Sequence, residues 1–233
     1  MPGKPLNVVS RHILEIRFKP STKILDYRGA WTEYLSQEME LPQWKIDQNR
    51  IDLTNLENNE LAFLSYKNCG YVIEHPNSTN LFQDRAAKFL RTIQLIEDFK
   101  LPAVTRLGVR SVFYKMYPDS FEALFRKFKQ KLINTESETI AAYGGNIADV
   151  GVALNLESTD GKFNTNSGPM NSSQAANYFP NIELPLNAGY FFEIDFFKEN
   201  IGNAETDALC SLLKSFAEQS WGKMETLSKT IFE

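Results

Sequence analysis

The chain has 233 residues, 42% of them apolar, and a formal net charge of -4. That length suits one large domain or two of roughly 100 residues each, with enough apolar content for a packed core, which excludes a wholly disordered chain. The mildly acidic balance gives a nucleic-acid role little support, and no apolar run approaches the roughly 18 residues of a membrane span.

The N-terminal stretch MPGKPLNVVSRHILEIRF has no uninterrupted apolar centre, so it does not read as a signal peptide. Cys69 and Cys210 lie far apart and form no pair motif. The expectation is a reduced, cytoplasmic chain with two structural thiols. The glycosylation-like triplets at Asn77 and Asn171 carry no weight in that setting.

Residues 8–18 alternate: Leu14, Ile16 and Phe18 share one face, and Ile13, Glu15 and Arg17 the other. This predicts a strand with one dry side, ended by Pro20. Residues 26–39 predict a helix, with Tyr27, Ala30, Trp31, Tyr34, Leu35 and Met39 at helical spacing. Strands are expected at 44–54, 60–67 and 69–74, with a turn at Asn58-Asn59. After His75-Pro76-Asn77, Asn80 is the expected cap of a helix reaching about Phe99. Pro102 then precedes a strand over 103–115.

Tyr117-Pro118-Asp119 opens the second half, with Asp119 as the expected cap of a helix and Glu122 three residues on. Strands are predicted at 147–157 and 162–168, joined by a turn at Asp160-Gly161. Residues 169–186, rich in Asn, Pro and Ser, read as a loop. YFFEIDFF, 190–197, reads as a strand, and Asn203 as the cap of a long final helix striped by Leu209, Leu212, Leu213, Phe216 and Ala217.

The expected fold class is α+β: antiparallel sheets backed by helices, in two closely packed ferredoxin-like or related subdomains. The boundary is set at 1–118 and 119–233, the two packing as one compact unit. No fixed-period repeat is visible.

The segment AVTRLGVRSVFY raises the main functional question. Strand geometry puts Arg106, Gly108 and Arg110 on one face with Val104, Val112 and Tyr114, opposite Leu107, Val109 and Phe113. Gly108 leaves a gap between the arginines that could admit a partner's side chain, a helix backbone or a ligand. Two further strands carry acids and a base in similar places: Glu15 and Arg17 in one, Glu193 and Asp195 in the other. A guanidinium can meet a carboxylate through two parallel bonds, so these residues suggest a network across a sheet. One reading is internal pairing. A second makes Arg17, Arg106 and Arg110 ligand-binding residues for an acidic small molecule, with Glu15, Glu193 and Asp195 in the network, and a third makes them part of a partner-protein surface.

Other candidates are weaker. His12 and His75 have no zinc-type spacing, so no metal and no catalytic residue is assigned. No nucleophile elbow or phosphate-binding loop occurs, and no cofactor is expected. Gly144-Gly145-Asn146 reads as a turn, with anion binding through its amides as the alternative. Arg126, Lys127, Lys129 and Lys131 crowd one helix and could attract an acidic partner; a solvated face is the plain alternative. Residues 163–180, with Phe163, Tyr178 and Phe179, read as either a binding loop or an insertion.

The strand ILEIRF, the arginine strand VTRLGVRSVFY, and FFEIDFF followed by a long helix ending SFAEQSWGKMETLSKTIF resemble a sporadically distributed bacterial family of uncharacterised proteins. The likeness spans nearly the whole chain. It singles out Arg106 and Arg110 and implies no reaction; the 169–186 loop matches none of its motifs.

The expectation is a cytoplasmic binding or interaction protein, leaning away from an enzyme, with a protein partner or self-association. The alternatives are an enzyme acting on a phosphorylated small molecule and a nucleic-acid-associated protein.

Overall fold

The computed structural model describes residues 8–96, 99–133, 138–145, 147–184 and 188–232. The elements run β1 (Val8–Phe18), α1 (Lys23–Met39), β2 (Gln43–Ile46), β3 (Arg50–Asn55), β4 (Glu60–Ser65), β5 (Asn68–Glu74), α2 (Thr79–Leu95) and β6 (Val104–Met116). They continue α3 (Phe121–Leu132), α4 (Glu138–Ala142), β7 (Val152–Ser158), β8 (Gly161–Asn171), α5 (Ser172–Ala175), a 3-10 turn at Ala176–Tyr178, β9 (Ala188–Gly202) and α6 (Thr206–Phe232).

The strands form one nine-stranded sheet in the order β2-β3-β4-β5-β1-β6-β9-β8-β7. Each pairing is antiparallel. The expected antiparallel α+β class is therefore present. Strands from both sides of residue 118 share the sheet, because β6 is hydrogen-bonded to β9 along most of its length.

Strand alternation sorts the side chains onto two faces. Leu14, Ile16, Leu107, Val109, Phe113, Phe192, Ile194 and Phe196 pack in one core with Trp31 and Leu35 of α1, Phe89 of α2, Phe128 of α3 and Phe216 of α6. The helices α1, α2, α3 and α6 thus cover one face. On the other face Val9, Val112, Tyr114 and Phe191 form a smaller core with Ala175, Phe179 and Leu184, so the β8–β9 connection folds over one end of that face. Among the described residues no helix is long and apolar enough to cross a membrane.

Local chemistry moved several boundaries. The expected strand 44–54 is a hairpin, β2 and β3, turning at 47–49, where the Asp47 N–H donates to the Arg50 carbonyl. The first residue before α2 is Ser78, not Asn80, and the helix stops at Leu95, short of Phe99. Ser120 rather than Asp119 caps α3: its side chain accepts from the Ala123 N–H, while Asp119 accepts from the Ser120 N–H. β7 begins only at Val152, and the loop residues of its hairpin are Thr159 and Asp160, since Ser158 pairs with Gly161. Of the expected loop 169–186, Pro169–Asn171 extend β8 and 172–178 are helical, while residues 185 and 186 lie outside the described residues. β9 outruns its apolar core to Gly202, and α6 begins at Thr206, beyond Asn203.

The helix layer is tied to the sheet by charge as well as by apolar packing. Arg85 of α2 donates to Glu60 of β4 through Nε (3.2 Å) and to the Met39 carbonyl (2.6 Å) at the end of α1. The Glu60 side chain is 4% exposed. Arg85→Ala leaves that carboxylate buried without its cation and should cost about 3 kcal/mol in urea unfolding. The Arg85→Ala/Glu60→Ala double variant should cost clearly less than the sum of the single changes, because the two residues act as a unit.

Candidate functional site

The central strands β1, β6 and β9 bring the expected charged residues together on the face away from the helices. In the ladder Glu15 sits opposite Gly108, which sits opposite Phe197; Arg106 faces Glu199 and Arg110 faces Asp195. Neither arginine bonds the acid directly opposite. Arg106 leans along its strand so that Nη2 donates to Asp195 Oδ2 at 2.7 Å, with Nη1 3.5 Å from Glu15 Oε2. Arg110 donates through Nε to Glu193 Oε1 at 2.6 Å. Arg17 holds Glu15 with Nε (3.0 Å) and Nη2 (2.8 Å), and Asn68 of β5 donates to the other Glu15 oxygen at 2.9 Å.

Gly108 explains the lean. The gap it leaves is taken by the protein's own Arg106: a Cβ at Gly108 would lie 2.5 Å from Arg106 Nη1. The guanidinium also stacks over Phe197, its carbon 4.6 Å from the ring centre. A cation over an aromatic face gains electrostatic attraction, and the planar fork still reaches its carboxylate. A second such stack lies further along the face, with Arg50 4.2 Å over Phe63 and paired to Asp52. There a Cβ on Gly70 would meet the Phe63 ring at 2.6 Å.

One expected member of this face lies elsewhere. Val104 belongs to the helix-side core, because the β6–β9 and β1–β6 registers both shift near it. A bulge inserts a residue and so moves the side chains beyond it to the other face. Val112 and Tyr114 stay with Arg110, under the β8–β9 connection.

The arrangement is charge-balanced. Arg17, Arg106 and Arg110 meet Glu15, Asp195 and Glu193. Exposure differs sharply along it: the Arg106 side chain is 14% exposed, Arg110 44% and Arg17 55%. Burial pushes the Asp195 carboxyl above its ordinary value, against the opposing pull of Arg106 and then Arg110. Burial also pushes Glu15 up, but the bonds from Arg17 and Asn68 and the charges of Arg17 and Arg106 outweigh it and hold that carboxyl low.

Asn164 and Asn166 of β8 extend the face, opposite Asp195 and Glu193. Nothing in the spacing of β8 signalled this neighbour, because strand order is a tertiary fact. The remaining candidates go elsewhere. His12 is buried toward the helices, with Nδ1 2.9 Å from Ser111 Oγ and its ring stacked on Phe82. His75 sits at a left-handed turn, φ 50°, with its N–H on the Ser10 carbonyl. Cys69 and Cys210 are buried free thiols, both pushed up by burial. On α3, Arg126 bonds the Glu122 carbonyl, Lys127 the Phe232 carbonyl, and Lys129 stands over Phe125. The aromatics of 163–180 turn inward: Phe163 and Phe179 are buried, and Tyr178 packs on Phe191. Of Gly144-Gly145-Asn146, Asn146 lies outside the described residues.

No protein-family model and no curated protein matches the chain. A rolling circle replication initiator protein from Geobacillus stearothermophilus is similar at 8% identity, over 89% of this chain and 80% of that one, with a TM-score of 0.29. A likeness that faint carries no argument about fold or activity.

Removing the central cation tests the network. Arg106→Ala should cost about 1.5–3 kcal/mol, the range of hydrogen bonds to charged groups. It should also raise the titration points of both Glu15 and Asp195, read by carboxyl-carbon NMR. The pH signs differ. Glu15, held low, adds stability above its ordinary pKa that is lost as pH falls through its depressed value. Asp195, held high, adds stability below its ordinary pKa that is lost as pH rises through its raised value. Without Arg106 the Glu15 contribution shrinks and the Asp195 penalty grows, so the variant should lose most stability near neutral pH.

Proposed function

We propose that this is a binding protein whose recognition surface is the face of the sheet opposite α1, α2, α3 and α6, and that its ligand is another protein. The halves 1–118 and 119–233, as closely packed ferredoxin-like or related subdomains, act as one unit in this reading, in the cytoplasm. The observation that supports it most is the charge ladder itself. Side chains of both signs pair within and between β1, β6 and β9 on a broad face with exposed guanidiniums at Arg17 and Arg110. A balanced ladder attracts no simple anion strongly. It discriminates among partners by the order of charges they present, a role in which electrostatics gives specificity and association rate more than affinity. The exposed asparagines of β8, Asn164 and Asn166, supply neutral polar contact area beside the charges.

Surface cavities bear on where a small molecule would sit, and one of them, beside Gly168, reaches Asn166 on this face. Five cavities lie at the β7–β8 hairpin, beside the end of α2, between α6 and β7, at the start of α1, and beside Gly168. None of these five is lined by Arg17, Arg106 or Arg110.

Photo-crosslinking in native cells tests the proposal. A benzophenone amino acid at Asn164 or Asn166, on the open face, should capture one protein partner, and the same probe at Lys214 on α6 should not. Binding of that partner should weaken as ionic strength rises, and Arg110→Glu should lower its affinity about tenfold. Capture from Lys214 alone, or equal binding by Arg110→Glu, would overturn the reading.

A further inference from the structure

The two edges of the sheet are built differently. β2 is four residues long, follows Pro42 and carries Lys45. Its pairing with β3 directs the backbone groups of only Trp44 and Ile46 outward. Short length, proline and lysine are the usual means of keeping an edge strand from pairing. β7, VALNLES, has none of them. It is seven residues long, pairs with β8 without a register shift, and contains no Pro, Lys or Arg. Ala153–Ser158 are all exposed, and Leu154 and Leu156 remain 48% and 38% exposed. Among the described residues no strand pairs with its outer edge.

We infer that this edge is a homodimer interface, in which β7 pairs antiparallel with β7 of a second copy about a two-fold axis at Asn155. The strand is self-complementary in that register. The two-residue hairpin loop closes on a hydrogen-bonded pair, Ser158 with Gly161. Bonding alternates along the ladder, so Val152, Leu154, Leu156 and Ser158 spend their backbone groups on β8, and Ala153, Asn155 and Glu157 direct theirs outward. A dyad at Asn155 places those outward residues opposite one another: Asn155 faces Asn155 of the second copy, and Ala153 faces Glu157. About six hydrogen bonds follow, two from each of the three pairs.

The same register sets Leu154 opposite Leu156 of the second copy in the non-bonded positions, where side chains lie closest. Those leucines already form the outer wall of an apolar groove of about 500 Å³, with Phe163, Phe192 and Leu227 behind them. Pairing turns this wall into the middle of a shared apolar strip. Charge does not oppose it. The charged residue of β7, Glu157, lies 3.8 Å from Lys162 of its own chain and meets only Ala153 across the axis. An isologous contact of this kind closes at two copies and leaves the charged face of each sheet open.

Sedimentation and light scattering of the full chain should give twice the 26.6 kDa chain mass at micromolar concentration. Asn155→Pro removes an outward N–H and no bond of the β7–β8 ladder, so circular dichroism should stay unchanged while dimer dissociation rises more than about tenfold. Cysteine crosslinking gives a second test that does not depend on that variant folding. Across the dyad the Asn155 Cα atoms lie about 5.5 Å apart, within disulfide reach. The Ser158 positions, six residue steps apart at about 3.4 Å each, lie about 20 Å apart. Asn155→Cys should therefore crosslink under mild oxidation and Ser158→Cys should not, the native thiols being buried. A wild-type monomer throughout the micromolar range, or a dimer that crosslinks through Ser158→Cys and not Asn155→Cys, would overturn the inference.

Discussion

The pairing of β6 with β1 on one side and β9 on the other is the constraint on which the rest of the structure depends. β6 lies mid-chain, while its partners come from near the two ends of the described chain. Both halves of the protein are therefore completed by one strand. Closing such long loops costs entropy before any contact returns it. The return comes from the Leu107, Val109 and Phe113 side of β6, buried beneath the helices with the matching sides of β1 and β9.

The opposite side of the same three strands solves a different problem. A sheet covered by helices on one face leaves polar side chains on the other, and rows of like charge there would repel. Here each strand contributes to the balance. Arg106 threads over Gly108, rests on Phe197 and reaches both Glu15 and Asp195. The glycine earns its position by leaving room for that side chain. The resulting face is ordered yet half exposed, which suits recognition of a partner more than storage of stability, since exposed pairs contribute little.

The two proposed surfaces divide the molecule cleanly. Charge occupies the open face, and apolar self-complementarity occupies the β7 edge. They share no residue, so association of two copies would present two charged faces to one partner and raise its apparent affinity through effective concentration.

Much of this was legible in the sequence. Period-two patterning assigned Glu15, Arg17, Arg106, Arg110, Glu193 and Asp195 to the same kind of strand face, and apolar stripes located the helices, because burial on one side leaves a periodic trace. End positions were less legible: Ser78 and Ser120 flank better-known cap residues, and the chemistry of Ser, Asn and Asp at such sites is nearly equivalent. Val104 changed sides because a bulge leaves no periodic mark. What the sequence alone determined is the alternation that sets Glu15, Arg106, Arg110 and Asp195 on one side of their strands and Leu14, Leu107, Val109 and Ile194 on the other, for that follows from local spacing. Only the tertiary structure decided that Arg106 pairs with Asp195 and Arg110 with Glu193, that its own guanidinium fills the Gly108 gap, and that β7 is left at an edge, because strand order joins residues with no local signal between them.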